Sequence, residues 1–255
     1  MSSLRARCPD CRTLTAVAVG PEYQCHSCAR EFAAGLVRVP RAWGTGGEAM
    51  AEAAMLPVPY PETAVIECDS LEEQSAALAA ALPERPLVLG GCCCSHVGAA
   101  QGLARRGRRL GVVWFDAHGD LNTPETSPSG NLWGMPLRML IDSDTIDAGD
   151  VALVGARNLD PGEEAFIAEM GIDDSLDRAL EGVVAAYVAL DVDVLDPAEL
   201  RVFMPEPDGP SVKDVGAILT RIAGRTEIAG MGVTGLAPDP ANVAVVTSLL
   251  AAAGL

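Results

Sequence analysis

The stretch Phe115-Asp116-Ala117-His118-Gly119-Asp120 constrains this chain more than any other. It follows Gly111-Val112-Val113-Trp114, a short apolar run of the kind that forms a strand buried on both faces. Side chains alternate along an extended segment, so Asp116, His118 and Asp120 are expected on one side of the strand tip. A second run repeats the arrangement. Ala185-Ala186-Tyr187-Val188-Ala189-Leu190 reads as a buried strand, and Asp191-Val192-Asp193 adds two more carboxylates at its end. In open parallel sheets, ligands bind in the crevice beyond the carboxyl ends of the strands. An isolated acid after a strand is ordinarily a turn former or a helix cap. Four carboxylates gathered at buried tips would repel one another and be costly to desolvate. With one imidazole among them, they point to a pair of divalent cations.

Strand and helix patterns alternate from Thr63 onward, which predicts a parallel sheet covered on both faces. Thr63 to Cys68, Pro86 to Leu89, Val151 to Val154 and Glu227 to Val233 are the other expected strands. Ser70 with Glu73 signals the start of a helix reaching Leu82. Asp160 and Pro161 fit an N-cap and first helical position, and Ser211 caps a helix to Ala223. Asp239-Pro240 opens a final helix. With 255 residues, 49% of them apolar, the chain has room for one large α/β domain and a small appendage. No apolar run approaches the ~20 residues of a membrane span. The amino-terminal residues lack the apolar core of a signal peptide. These features predict a soluble, cytoplasmic protein with no membrane partner. A net charge of −17 argues against a nucleic-acid partner.

Cys8-x-x-Cys11 and Cys25-x-x-Cys28 are separated by thirteen residues, the pattern of a four-thiolate structural Zn2+ site. A redox dithiol pair and metal-free knuckles are the alternatives. The segment resembles a zinc ribbon, with strands expected over Thr13 to Val19 and Glu31 to Val39. Residues 1–42 are read as this module. Residues 43–62, rich in Gly, Ala and Pro, are read as a linker with one short helix near Glu48 to Met55. Residues 63–255 are read as the main domain.

Pro86-Leu87-Val88-Leu89 ends in Gly90-Gly91-Cys92-Cys93-Cys94-Ser95-His96. Two glycines let the backbone turn sharply at a strand tip. In an extended segment Cys92 and Cys94 face one side and Cys93 the other. Small buried thiols packed under a helix, or a metal-binding or reactive role, both fit three adjacent cysteines.

Asp116-Ala117-His118-Gly119-Asp120, Ser129-Gly130-Asn131 and Leu190-Asp191-Val192-Asp193-Val194-Leu195-Asp196-Pro197 together resemble the ureohydrolases: arginase, agmatinase, formimidoylglutamase and relatives. The resemblance runs from Leu87 to the carboxyl terminus. It implies a three-layer α/β/α arginase-like fold with a mostly parallel sheet. It also implies a dinuclear manganese centre whose bridging hydroxide attacks a guanidinium or amidine carbon. Carried over by position, Asp116 and Asp191 bridge both Mn2+ ions, Asp120 completes one, and His118 with Asp193 completes the other. Asp120 and His118 are the candidate catalytic residues. Asn122, Ser129 and Asn131 fall where arginase-like enzymes hold the substrate carboxylate, and Asp160 with Glu163 where they hold an α-amino group. Family members commonly form trimers and hexamers, which makes a homo-oligomer an expectation here.

Three departures qualify the match. Cys92 and Cys93 stand where the family has Asp-His, whose histidine binds the first metal. Either Cys93 coordinates as a thiolate, or His96 swings in, or the position is vacant. A thiolate would favour a softer metal such as zinc or iron. Otherwise His96 is expected to face a helix or solvent. Trp133 replaces a histidine credited with proton transfer, and an indole titrates nothing. Gly235 stands where the family's guanidinium-clamping glutamate is expected, with no acid before Asp239. These changes argue against L-arginine. The expected function is a metal-dependent hydrolase acting on a non-peptide C–N bond of a small amidine, imino or amide molecule. A catalytically inactive metal-binding or sensing protein is the alternative.

Overall fold

The computed structural model describes residues 5–255, which form two sheets. Four short antiparallel strands, β1 (Arg5–Ala6), β2 (Ala16–Val19), β3 (Glu22–Cys25) and β4 (Glu31–Phe32), pair in chain order. The core of this sheet is six residues: Ala6, Cys8, Ala16, Tyr23, Cys25 and Phe32. So small a core needs a covalent or metal staple.

The second sheet has seven strands: β5 (Gly35–Val39), β6 (Glu62–Val65), β7 (Pro86–Gly90), β8 (Leu110–Phe115), β9 (Val151–Val154), β10 (Ala185–Asp191) and β11 (Glu227–Thr234). Their spatial order is β6-β5-β7-β11-β10-β8-β9, and every neighbouring pair is parallel. Side chains alternate between two cores. Val113 and Phe115 of β8 face one, and Val112 and Trp114 face the other. The first core is closed by α1 (Glu48–Ala53), α6 (Leu176–Ala179), α7 (Val212–Ala223) and α8 (Asn242–Ala252). The second is closed by α2 (Leu71–Ala81), α3 (Cys94–Ala104), α4 (Pro136–Asp142) and α5 (Pro161–Met170). This is the expected three-layer arrangement. Continuous apolar strands such as β10, buried along its whole length, are what a sheet covered on both faces requires. The caps form as anticipated: Ser70 Oγ accepts from Glu73 N at 3.2 Å, and Ser211 Oγ from Asp214 N at 3.2 Å. Among the described residues, no helix is long and apolar enough to cross a membrane.

The division into segments differs from the expected 1–42, 43–62 and 63–255. Of the stretch Glu31 to Val39, only Glu31–Phe32 joins the small sheet. Gly35–Val39 enters the large sheet between β6 and β7, with all five residues buried. Leu36 and Val37 belong to opposite cores, and a strand with two apolar faces needs a layer on each side. Residues 43–62 are not a free linker either. Met50, Ala53, Ala54, Leu56, Val58 and Tyr60 are buried. The buried Arg38 guanidinium of β5 binds them in place. It donates through Nη1 to Ala54 O at 2.7 Å and Leu56 O at 2.9 Å, and through Nε to Glu62 Oε2 at 2.7 Å. Replacing Arg38 with Met leaves two carbonyls and a carboxylate without their donors. We expect a loss of about 2–4 kcal/mol of folding stability in urea denaturation. An unchanged midpoint would mean that this stretch is held by packing alone.

Candidate metal centre

Four neighbouring strands of the large sheet, β7, β11, β10 and β8, end at one cleft. The chain must turn sharply where β7 ends, and glycine permits it. A Cβ on Gly91 would lie 2.3 Å from Pro40 O. The turn places Cys93 at the N-terminus of α3 with its sulfur over the sheet edge. Beyond β8 the backbone leaves the extended conformation, and Asp120 adopts a left-handed φ of +53°. Asp116, His118 and Asp120 nevertheless all line the cleft, as do Asp191 and Asp193 beyond β10. The cleft offers about 700 Å3 of open space, mouth included, within the range of small-molecule sites of roughly 300–1,000 Å3.

The donors fall into two groups that share Asp116. Cys93, Asp116 and Asp191 form the inner group, and Asp116, His118 and Asp193 the outer; within each, the ligand atoms lie within 4.8 Å of one another. Cys93 Sγ is 2.9 Å from Asp191 Oδ2 and 3.8 Å from Asp116 Oδ2. His118 Nδ1 is 3.1 Å from Asp193 Oδ2 and 3.4 Å from Asp116 Oδ1. The carboxylates are aimed by fixed donors. Trp114 Nε1 donates to Asp116 Oδ2 at 3.2 Å, Ala117 N to Asp193 Oδ1 at 3.0 Å, and Thr234 Oγ1 to Asp191 Oδ2 at 3.0 Å. Asp120 is buried beside them, and its Oδ2 has no hydrogen-bond partner. Asp116, expected to bridge together with Asp191, belongs to both groups; Asp191 belongs to the inner one.

Four buried carboxylates against one imidazole make an electrostatic problem. Burial, then the charge of Asp193, pushes Asp191 up to about 7. Burial and the charge of Asp116 push Asp193 up to about 6. Burial, with Asp116 and Asp191, raises Asp120 well above the ordinary carboxylate range. Burial alone would lower His118, but hydrogen bonds and charge from Asp116 and Asp193 hold it up to about 12. Two divalent cations would balance this donor set, and the orphaned Asp120 oxygen is an acceptor such a cation would satisfy. The residues fit the group.

The other expected site residues divide. Asn122, Ser129, Trp133, Asp160 and Glu163 line the cleft. Asn131 is not among the lining residues, because its Oδ1 accepts from Thr45 N at 3.0 Å and ties down the 43–47 turn. Glu163 is spent on structure: Oε1 accepts from Leu121 N at 3.0 Å and Oε2 from Asp160 N at 2.9 Å. Asp160 caps α5 and accepts from Asn122 Nδ2 at 2.8 Å. His96 faces neither solvent nor the cations. It is fully buried beneath the cleft, with Nδ1 2.8 Å from Tyr187 Oη and Nε2 3.2 Å from Thr234 Oγ1. Cys92 and Cys94 pack with Met50. Met50, Phe203, Met204 and Thr234 belong to the site or its support, and no local pattern distinguishes them in the sequence.

In the small sheet, the sulfurs of Cys8, Cys11, Cys25 and Cys28 lie within 4.8 Å of one another. Cys8 Sγ and Cys28 Sγ are 3.8 Å apart, and Cys11 Sγ and Cys25 Sγ 3.5 Å. A tetrahedron of thiolates at zinc–sulfur distances of about 2.3 Å has edges of roughly 3.8 Å, so this cluster also fits a cation.

Comparison with known proteins decides the family. Residues 38–254 match the model of the arginase family. The chain belongs to the arginase family. It is 39% identical over 142 residues to an arginase of Staphylococcus aureus, covering 45% of this chain and 47% of that protein. An arginase of Bacillus caldovelox is 39% identical over 143 residues, 45% of this chain and 48% of that protein. The aligned region thus spans about half the length of these curated relatives. In three dimensions the match to the solved Bacillus caldovelox arginase is longer. It covers 86% of this chain and 97% of that one, with a TM-score of 0.74 and 26% identity.

Against this family background, the departures at Cys93, Trp133 and Gly235 acquire positions. Cys93 lies in the cation cleft. Trp133 packs edge-on against Phe203, ring centroids 6.0 Å apart, and forms an apolar wall. Gly235 has a φ of +75°, and a Cβ there would lie 2.0 Å from Asp191 Oδ1. No larger side chain fits without moving Asp191. Gly235→Ala is expected to weaken divalent-cation binding in the cleft roughly 10–100-fold, measured by calorimetric titration. Undiminished binding would mean that Asp191 is not a ligand.

The raised carboxylates set a pH dependence. Asp191 and Asp193 ionise near 7 and 6 in the folded chain, against 3.8 ordinarily. The metal-free fold therefore binds more protons than the unfolded chain, and its stability falls as pH rises from about 4 to 7. His118, held above its ordinary 6.5, acts in the same direction at higher pH. Cation binding offsets this loss. The difference in melting temperature between Mn2+-loaded and EDTA-treated protein is expected to widen from about pH 5 to about pH 8. A narrowing difference would contradict the assignment of these carboxylates as ligands.

Proposed function

We propose that this chain is a metal-dependent hydrolase that cleaves a non-peptide C–N bond in a small amidine, imino or amide substrate other than L-arginine. One observation carries the reading: Asp116, Asp120, Asp191, Asp193, His118 and Cys93 converge on one cleft in which Asp120 Oδ2 is buried without a partner. When bound, a pair of divalent cations, manganese by family precedent, supplies Lewis acidity toward the substrate and lowers the pKa of a nearby water. The chain's own residues do the rest. Asp116 would serve both cation positions, with Asp191 at the inner and Asp193 at the outer one. Asp120 would meet a cation through Oδ2 and take a proton from the attacking water through its other carboxylate oxygen. His118 would serve the outer cation through Nδ1, beside Asp193, with Nε2 held toward Glu206, 3.6 Å away. Trp133, Phe203, Met50 and Met204 form an apolar wall that excludes water and suits an uncharged portion of the substrate.

The substrate class follows from Gly235. A guanidinium cation brought to this place meets no carboxylate of its own, and a desolvated charge without a partner costs several kcal/mol. The four-cysteine cluster holds a structural Zn2+ that serves the small sheet as its staple. The partner is a small molecule, in a soluble, cytoplasmic setting, with neither nucleic acid nor membrane as a target. A second reading, a catalytically inactive metal-binding or sensing protein, is favoured by Trp133, which cannot shuttle protons.

The test is release of ammonia or urea from a panel containing L-arginine, agmatine, N-formimidoylglutamate, simple amidines and uncharged primary amides, with the metal-loaded chain. Turnover of an amidine or imino compound, with L-arginine the slowest, is expected. Asp120→Asn should lower that turnover by about 10^2–10^4-fold. Full metal loading with no turnover of any panel member would favour the non-catalytic reading. Preferred turnover of L-arginine would overturn the substrate class.

A further inference from the structure

The inner and outer donor groups are chemically unlike. The outer group, Asp116, His118 and Asp193, offers oxygen and nitrogen. The inner group, Cys93, Asp116 and Asp191, contains sulfur. The sulfur is held in place. Cys93 sits at the N-terminus of α3, where helical geometry directs its side chain over the sheet edge, and it is buried. Around Sγ stand three oxygens: Asp191 Oδ2 at 2.9 Å, Thr234 Oγ1 at 3.3 Å and Asp116 Oδ2 at 3.8 Å. A neutral thiol carries one proton and satisfies one of them. The nearby Asp120 Oδ2 is buried with no donor at all.

His96, the one imidazole near enough to substitute, is committed elsewhere. Its ring lies edge-on to Trp114 and Tyr187, with centroids 5.0 and 5.8 Å away. Gly232 makes the niche, since a Cβ there would lie 2.5 Å from both His96 Nδ1 and Tyr187 Oη. The protons of this network run one way when each finds an acceptor. Tyr187 Oη–H donates to His96 Nδ1, His96 Nε2–H to Thr234 Oγ1, and Thr234 Oγ1–H to Asp191 Oδ2. The network thus ends on an inner carboxylate and orients it, as partners behind a ligand do. It leaves Cys93 Sγ receiving no proton from Thr234 and free to act as a donor toward a cation.

We propose that the inner position is a sulfur site that takes a thiophilic divalent cation of the zinc type through Cys93, Asp116 and Asp191, while the outer position takes an oxygen- and nitrogen-preferring cation of the manganese type. The inference rests on the two-cation reading of the cleft and deepens it: the centre is heterodinuclear, sorted by ligand softness. Thr234 and His96 are positioning residues for the inner site.

The test uses the full chain, stripped of metal and reconstituted with about two equivalents of Zn2+ and excess Mn2+, with metals counted by mass spectrometry and manganese observed by electron paramagnetic resonance. The expected wild-type result is about two zinc and one manganese per chain, one zinc in the four-cysteine cluster and one in the cleft, with an isolated six-line manganese signal. Cys93→His restores an imidazole donor. It should lower zinc to about one per chain, raise manganese to about two, and replace the six-line signal with that of a spin-coupled pair. The wild-type measurement stands alone if the variant does not fold. Wild-type protein holding a coupled manganese pair and one zinc would overturn the sulfur site and leave the two-cation hydrolase standing. Wild-type protein holding zinc in the four-cysteine cluster and no cation in the cleft would overturn both.

Discussion

Burial of like charge at the carboxyl edge of a parallel sheet is the constraint on which this structure depends. Asp116, Asp120, Asp191 and Asp193 lie almost entirely out of water at the ends of adjacent strands. Backbone amides, an indole and a hydroxyl aim these groups without neutralising them. His118 supplies the single positive charge within the cluster. Such an arrangement costs stability by itself and becomes favourable only with added positive charge. The rest of the fold holds it rigidly: apolar strands packed on both faces keep the tips in register, and glycines at the tips allow backbones and carboxylates to approach.

Much of this was legible in the sequence because the signals are local. Unbroken apolar runs of six or seven residues ending in Asp-x-His-x-Asp and Asp-x-Asp specify both the strands and what lies at their ends. The caps at Ser70, Asp160 and Ser211 are equally local. Illegible were the features set by distant contacts. Gly35–Val39 has strand composition in either sheet, and only the need to bury Leu36 and Val37 on opposite sides assigns it to the larger one. Residues 43–62 look like a linker by composition, yet their apolar minority packs into the core and their carbonyls bind Arg38. Asn131 lies in a motif that reads as substrate-binding, but its amide oxygen accepts from Thr45 N in a turn far earlier in the chain. Nothing adjacent to His96 announces that Tyr187, Thr234 and the absent side chain of Gly232 prepare its niche.

The departures from the family are coordinated in space. Gly235 is held small by Asp191, since a Cβ there would lie 2.0 Å from its Oδ1. Trp133 rests on a turn made of glycines: a Cβ on Gly44 would lie 2.2 Å from its ring. Indole, glycine turn and Phe203 together make one side of the cleft apolar. Sulfur at position 93 stands in the inner donor group.

The small amino-terminal sheet has a consequence for the large one. Arg7 forms a two-way backbone bridge with Glu62, N to O at 2.9 Å and 3.0 Å, at the start of β6. β6 is the outermost strand of the seven, and beyond it lies no further partner in that sheet. Outermost strands carry free amides and carbonyls that recruit other chains. The cysteine-bearing appendage therefore acts as a cover on a sticky border. If the four cysteines hold the cation their geometry fits, its loss would uncover that border and open the chain to association through β6.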